Sequence, residues 1–569
     1  MSLNQKTPTI HPRKRKIAFI AATAATTSLM LGACGSTPDN QSTSGGSPLP
    51  SLSIVAEPPG GMSEVFNPFV ATARWPARNT MYEPLMIPNM VTNELSPWLS
   101  TEYEWNDDAT ELSFKLRDDV KWSDGEDLTA DDVVFTLGLY NDNPGLFGSY
   151  TRVFESVSDV NAVDDNTVKV TFTQSSVTAL TDLLQQFIVP EHVWSDIEDP
   201  TTFDNANPVA TGPFIDVSSF SSQEYKVRAN KDYWQPLEVD EISLRSYSGN
   251  DQINAEVTAG NVDWGGLMPE PQRTFVALDE EHNHYWWPKT RTVNVQLNTT
   301  IKPFDDATLR TAMSMSIDRE KVANDSYWGE ATAANPVSLA TDFFESWIDD
   351  TVVTEFSKNT EYDPEAAKKM LKEAGYKTDS SGALLMADGT PVAIEMIVPT
   401  GWTDWISTIQ AITENFGEIG IEATTRTLQY DSWAADVYSG NFEGTLVGSY
   451  PSLTPYQFYY ENMSEDTVPE PGEQSSINGQ RFGDPEATEL LQKFTSTVDT
   501  EEQLEIIKSV ERRFAETMPL IPVVEGPDYG LFTTKRYTGF PSADDPYAQL
   551  SLQLDYTAYL VLPHLKPAV

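Results

Sequence analysis

The chain has 569 residues, too many for one compact core and enough for two or three. Its 85 acidic residues outnumber 37 basic ones, giving a net charge of −48. That balance argues against nucleic acid and against docking on an anionic membrane surface, both of which need clustered Lys and Arg. A hydrophobic content of 39% suffices for globular packing. The single cysteine, Cys34, excludes a disulfide framework and speaks against a thiol catalyst.

The N-terminus carries a targeting signal. His11-Pro12-Arg13-Lys14-Arg15-Lys16 is a basic region, and Ile17–Ala33 is apolar and small. The stretch is short for a membrane span and has the flanks of an export signal. It ends in Leu31-Gly32-Ala33-Cys34, which resembles a bacterial lipobox. Residues 1–33 are therefore expected to be a lipoprotein signal peptide, with Cys34 lipidated. Residues 34–50 are rich in Ser, Gly, Thr and Pro and read as a flexible tether.

Along the rest of the chain, Ser51–Ala56 reads as a first strand and Glu102–Leu116 as a hairpin turning at Asn106-Asp107-Asp108. Thr129 is a candidate N-cap for a helix with Val133, Val134, Leu137 and Tyr140 on one face. Strands are expected at Thr167–Phe172 and Glu224–Arg228. Helices are expected at Phe304–Val322, Pro364–Ala374 (closed by Gly375), Ile406–Phe416 and Glu501–Glu516. Pro391–Val398 reads as a strand running into Val398-Pro399-Thr400-Gly401-Trp402-Thr403-Asp404-Trp405. No repeat is present. The mixture predicts an α/β or α+β protein of at least two lobes.

Catalytic chemistry finds little support. The chain has five histidines, and His282-Asn283-His284 lacks the helical i, i+4 spacing of a zinc motif. There is no phosphate loop, nucleophile elbow or kinase set. No metal, no cofactor and no enzyme activity are expected; an exported glycan-active enzyme is the outlying alternative.

Several segments carry a family resemblance. They are Tyr82-Glu83-Pro84-Leu85, Ser96-Pro97-Trp98-Leu99, the run from Phe114 to Phe135 (FKLRDDVKWSDGEDLTADDVVF), Thr211-Gly212-Pro213-Phe214, Asn230–Trp234, Ser316-Ile317-Asp318-Arg319 and Tyr362–Lys368. Together they resemble the family 5 extracytoplasmic solute-binding proteins of ABC importers. That resemblance implies an α/β, two-lobed, periplasmic-binding-protein-like fold (type II, clam-shell) with an extra subdomain in the first lobe. Lobe I would combine 51–90, 210–300 and 522–569. The extra subdomain would be 91–209, and lobe II 301–521. Hinges are expected near Asn298–Pro303 and Pro519–Val523. The implied partners are a small-molecule oligosaccharide or oligopeptide, membrane permease subunits with their cytoplasmic ATPases, and the membrane through the Cys34 lipid. A monomer on the outer face of the cytoplasmic membrane is expected.

In peptide-binding members an Asp in a lobe II loop pairs with the peptide ammonium group. The matching stretch, Gly444–Pro455, holds no Asp or Glu. It does place Tyr450 and Tyr456 around an anchorless loop. Trp75, Trp264, Trp402 and Trp405 sit near turn residues, where flat rings could stack on sugar C–H faces. With Asn67, Asp404 and Tyr529 they form the expected ligand site. Trp402 and Trp405 are placed in a loop before a helix, with Asp404 as a polar clamp or merely a helix cap. Trp98, Trp105, Trp122 and Trp234 are assigned to the core. The preferred ligand is an oligosaccharide of cello-, manno- or xylo-type; the alternative is an oligopeptide.

Overall fold

The computed structural model describes residues 51–568, apart from 58–60, 71, 144–145, 147–151 and 450–451. The expected signal peptide, Cys34, the expected tether and Tyr450 therefore lie outside the described residues. Residues 49–569 form one compact unit.

The first lobe is built on a four-stranded sheet in the order Leu52–Ile54, Glu241–Arg245, Glu224–Ala229, Phe214–Phe220. Leu52 pairs parallel with Ile242, and the remaining pairs are antiparallel. The strict alternation of Glu224–Ala229 turns Tyr225, Val227 and Ala229 inward and its charged residues outward. A second antiparallel sheet, in the order 100–105, 111–116, 167–172, 157–164, makes the extra subdomain. Helix Ala130–Asp142 packs on it, opened by a capping box in which the Thr129 amide donates to Asp132 at 2.9 Å. Asp132 also accepts from the Trp122 indole at 3.2 Å, and Gly125 supplies the left-handed turn between them. The conspicuous run around Lys121–Val133 is thus a turn locked onto a helix cap. The subdomain and lobe I share a single hydrophobic core.

Lobe II holds a six-stranded mixed sheet in the order 332–333, 521–526, 291–297, 444–449, 393–399, 422–428. Arg291–Leu297 and Ile521–Gly526 are neighbours, antiparallel, with Arg291 opposite Gly526. Both strands are therefore inner strands of lobe II by pairing. The boundaries expected near 300 and 521, and the hinges expected at 298–303 and 519–523, fall inside this lobe. The chain crosses between lobes at about 285–291 and 526–531 instead. An outer core, formed with helices Tyr456–Met463, Pro485–Thr495 and Thr500–Thr517, completes the lobe.

The single helix expected over Phe304–Val322 is two, Ala307–Ser316 and Arg319–Tyr327. Asp318 breaks the run by capping the second, accepting from the Lys321 amide at 3.0 Å. Arg319, 3% exposed, donates to the Pro522 carbonyl at 2.6 and 2.9 Å. Arg310, 2% exposed, donates to the Met518 and Thr517 carbonyls at 2.8 and 2.6 Å. Two buried guanidiniums thus find backbone carbonyls, not carboxylates, and pin the helices to the returning strand.

Gly212 lies where an added Cβ would come 2.2 Å from the Thr80 carbonyl oxygen and 2.5 Å from that of Met81. Neither atom belongs to a flexible side chain. Gly212→Ala is expected to lower unfolding stability by at least about 2 kcal/mol, read from urea melts at constant m-value.

Candidate functional site

A cavity of about 910 Å³ opens between three segments: the extra subdomain (Asp182, Gln185), the C-terminal part of lobe I (Gln553, Tyr556) and lobe II (Tyr456, Tyr460). Its size suits a ligand of several residues. The Val177 amide donates to the Thr495 carbonyl at 3.1 Å, bridging subdomain and lobe II at the rim. Tyr456 and Tyr460 sit one helical turn apart, so their rings share a face. They stack at 5.4 Å and 13°, and Phe494 backs Tyr456 at 5.1 Å and 20°. Across the cavity the Tyr556 hydroxyl donates to the Gln185 carbonyl at 2.5 Å.

The lining is polar and acidic. Asp182, Glu461, Asp466 and Asp555 line it, against one basic residue among those described, Arg78. Arg78 donates to the Pro68 and Val70 carbonyls at 2.8 and 2.5 Å. Burial lowers its pKa, and the nearby Asp555 charge opposes that shift. Enclosure by protein, together with the Glu461 charge, pushes the Asp182 carboxyl up to about 8. Gln457 donates to Glu461 at 2.5 Å. Amide groups from Gln174, Gln186 and Gln492 also face this space.

The second junction between the lobes lies at the crossing strands. There the Tyr529 hydroxyl donates to Asp404 Oδ2 at 3.1 Å, joining residues 125 apart in sequence. Arg291 sits over the Tyr529 ring at 5.3 Å and donates to the Pro527 carbonyl at 3.2 Å. Trp287 meets the same ring edge-on at 5.1 Å. Burial raises the Asp404 pKa, while Tyr529 and Arg291 pull it back. Nearby, Gly401 and Gly249 bring lobe II and lobe I into backbone contact, since a Cβ on Gly249 would lie 3.3 Å from Gly401 Cα. The Asn250 side-chain amide donates to the Thr403 hydroxyl at 3.3 Å beside it.

The expected site residues divide accordingly. Tyr456 lines the cavity. Asp404 and Tyr529 form the buried pair, which is 6% and 8% exposed. Trp402 and Trp405 pack edge-to-face at 4.9 Å and 80° within a cluster completed by Tyr430 and Trp433. Trp405 lies inside helix Thr403–Glu418, not in a loop before it, and packs against two hydrophobic cores. Trp402, at the N-cap, remains half-buried.

Two residues are corrected outright. Asn67 is fully buried, donating to the Pro200 and Phe203 carbonyls at 2.7 and 2.8 Å and accepting from the Phe69 amide. Trp264 is fully buried, with its indole on the Leu550 carbonyl at 2.9 Å. Both use their polar groups inside lobe I. Trp75 is half-buried and likewise donates to the Leu552 carbonyl at 3.0 Å. The sequence reading missed Tyr460, although its i, i+4 spacing from Tyr456 was a visible signal. It also missed Asp182, Gln185 and Tyr556, which only the fold assembles.

Two lobes joined by paired crossing strands, with a cavity between them, define the type II periplasmic-binding-protein architecture. The chain belongs to the bacterial extracellular solute-binding proteins, family 5, whose middle-region model matches residues 94–469. It is 25% identical over 351 residues to the glutathione-binding protein GsiB of Shigella flexneri, covering 60% of this chain and 62% of that protein, less than two thirds of its length. A periplasmic oligopeptide-binding protein of Thermotoga maritima, solved with mannohexaose bound, superposes with a TM-score of 0.81 at 25% identity, covering 91% and 98% of the two chains. The oligopeptide-binding protein AppA of Bacillus subtilis, in complex with a nonapeptide, gives 0.74 at 19% identity over 91% and 99%, a likeness of fold alone. Among the described residues no helix is long and apolar enough to cross a membrane.

Removing the Tyr529 hydroxyl leaves Asp404 buried without that donor. Tyr529→Phe keeps the ring and is expected to cost about 1–3 kcal/mol at pH 7.5. Burial raises the Asp404 pKa and the Tyr529 hydrogen bond lowers it, so the ionised form is the one the donor serves. The loss should therefore shrink as pH falls through that raised value. Chemical melts of both proteins over a pH series measure it.

Proposed function

We propose that this chain is the capture subunit of an ABC importer, held outside the cell by a lipid on Cys34. It takes an oligosaccharide of cello-, manno- or xylo-type into the cavity and hands it to a permease pair driven by cytoplasmic ATPases. The observation that carries this reading is the lining: stacked tyrosine faces and side-chain amides around about 910 Å³, with Arg78 already committed to two carbonyls. A pyranose chain needs apolar faces for its C–H groups and fixed donors and acceptors for its hydroxyls. The absence of any carboxylate in Gly444–Pro455 and the mannohexaose bound to the Thermotoga relative support the same class. The chain acts as a monomer, and ligand bridging both lobes stabilises their contact.

An oligopeptide is the second reading, and one observation favours it. Asp182 and Glu461 repel each other in the cavity, and an ammonium group between them would relieve both. Relatives named as peptide-binding proteins point the same way.

A thermal-shift panel on residues 49–569 separates the two, because a ligand that binds only the folded state raises the melting temperature. Manno-, cello- and xylo-oligosaccharides are tested beside peptides of two to eight residues. A shift with sugars alone supports the first reading, and a shift with peptides alone replaces it with the second. With the active compound, Tyr460→Ala is expected to weaken binding at least tenfold, about 1.4 kcal/mol, with little change in the unliganded melting temperature. Trp402→Ala, at the other lobe junction, is expected to do the same. Unchanged calorimetric affinity would mark Trp402 as a junction residue only.

A further inference from the structure

The returning crossing carries Pro527-Asp528-Tyr529-Gly530. Tyr529 turns toward lobe II and reaches Asp404. Asp528, its neighbour, is 0% exposed, and neither carboxylate oxygen has a well-formed hydrogen bond, so that only the nearby Ser551 hydroxyl and the Arg291 charge offset its burial. Its backbone is held, the amide donating to the Pro288 carbonyl of the other crossing at 2.8 Å. Arg291 is the charged group that bears on it, and Ser551 of lobe I is the hydroxyl beside it. Arg291 is already engaged with the Pro527 carbonyl and the Tyr529 ring. The lobes meanwhile touch at Gly249–Gly401, Asn250–Thr403 and Val177–Thr495.

An ionised carboxylate in such a place is poorly solvated, and a rotation about the two crossings that admits water would relieve it. We propose that Asp528 is a positioning residue for lobe closure: its poorly compensated carboxylate biases the lobes apart, and neutralising it favours the lobe-contact arrangement described above. Resting as it does on the capture reading, this makes Asp528 a tuner of affinity that never touches ligand. A bias of this kind lowers apparent affinity by reducing the population of the closed state. Burial raises the Asp528 carboxyl to about 6, so protonation works in the same direction as a neutral substitution. The arrangement with the lobes in contact is favoured as pH falls through about 6 and disfavoured above it.

Small-angle scattering of unliganded residues 49–569 at pH 5.0 and 7.5 tests this. Wild type should be more expanded at pH 7.5 than at pH 5.0, and Asp528→Asn compact at both. The wild-type pH series needs no substitution and so stands even if the variant folds poorly. Mannohexaose and a peptide pool are added at pH 7.5 as closing probes, and any that binds should do so roughly tenfold tighter to Asp528→Asn. If a probe compacts wild type while Asp528→Asn matches unliganded wild type at pH 7.5, Asp528 is only a frame carboxylate and this inference fails alone. A melting temperature that rises in Asp528→Asn without a change in radius overturns it in the same way. If no condition or probe alters the radius of either protein, the lobes do not move, and the capture reading falls with it.

Discussion

Everything in this protein that concerns a ligand depends on two strands lying side by side. Arg291–Leu297 and Ile521–Gly526 are far apart in sequence, yet they pair antiparallel in the middle of the lobe II sheet. Each runs out of that sheet into lobe I at the same end. The two lobes are thereby joined by two short, adjacent connections, an arrangement that permits rotation while the ladder hydrogen bonds survive. Buried Arg310 and Arg319 hold the helices of lobe II to the returning chain through its carbonyls.

From that root the electrostatics follow. Arg291 opens one crossing, Asp528 and Tyr529 close the other, and Asp404 starts the helix that faces them. One guanidinium therefore serves a junction with two buried carboxylates. Burial raises both of their pKa values, and the Arg291 charge opposes each shift. The cavity between the lobes shows the same excess of acid over base on a wider scale, with four carboxylates against Arg78 among the described residues. A chain with a net charge of −48 tolerates such acidity in a solvated cleft, but at the crossing the charge lies away from water.

Much of the frame was legible in the sequence because its signals are local. Thr129 with Asp132, Pro364 with Gly375 and the alternation of Glu224–Ala229 each state an element within a few residues. The break at Asp318 was less legible, since helical periodicity runs straight through it and only a side-chain cap interrupts the backbone. The aromatic residues were the least legible. Trp264 and Trp402 both follow turn-forming neighbours, yet one is sealed against Leu550 and the other half-exposed at the lobe junction. No near neighbour of either ring decides that, because the partner of Trp264 lies 286 residues away and that of the Gly401 turn lies in the opposing lobe.

The sequence by itself determined the class of molecule: a strongly acidic, mixed α/β chain with signature segments spread over both lobes. Those properties reside in composition and in short-range spacing. Only the tertiary structure decided which strands cross between lobes, which aromatic rings belong to the frame and which carboxylates share a cleft. Such facts depend on contacts between distant segments. Burial at those contacts reverses the meaning of a residue, making a polar side chain such as Asn67 part of the scaffold and leaving Asp528 as a sealed carboxyl with little to offset its charge.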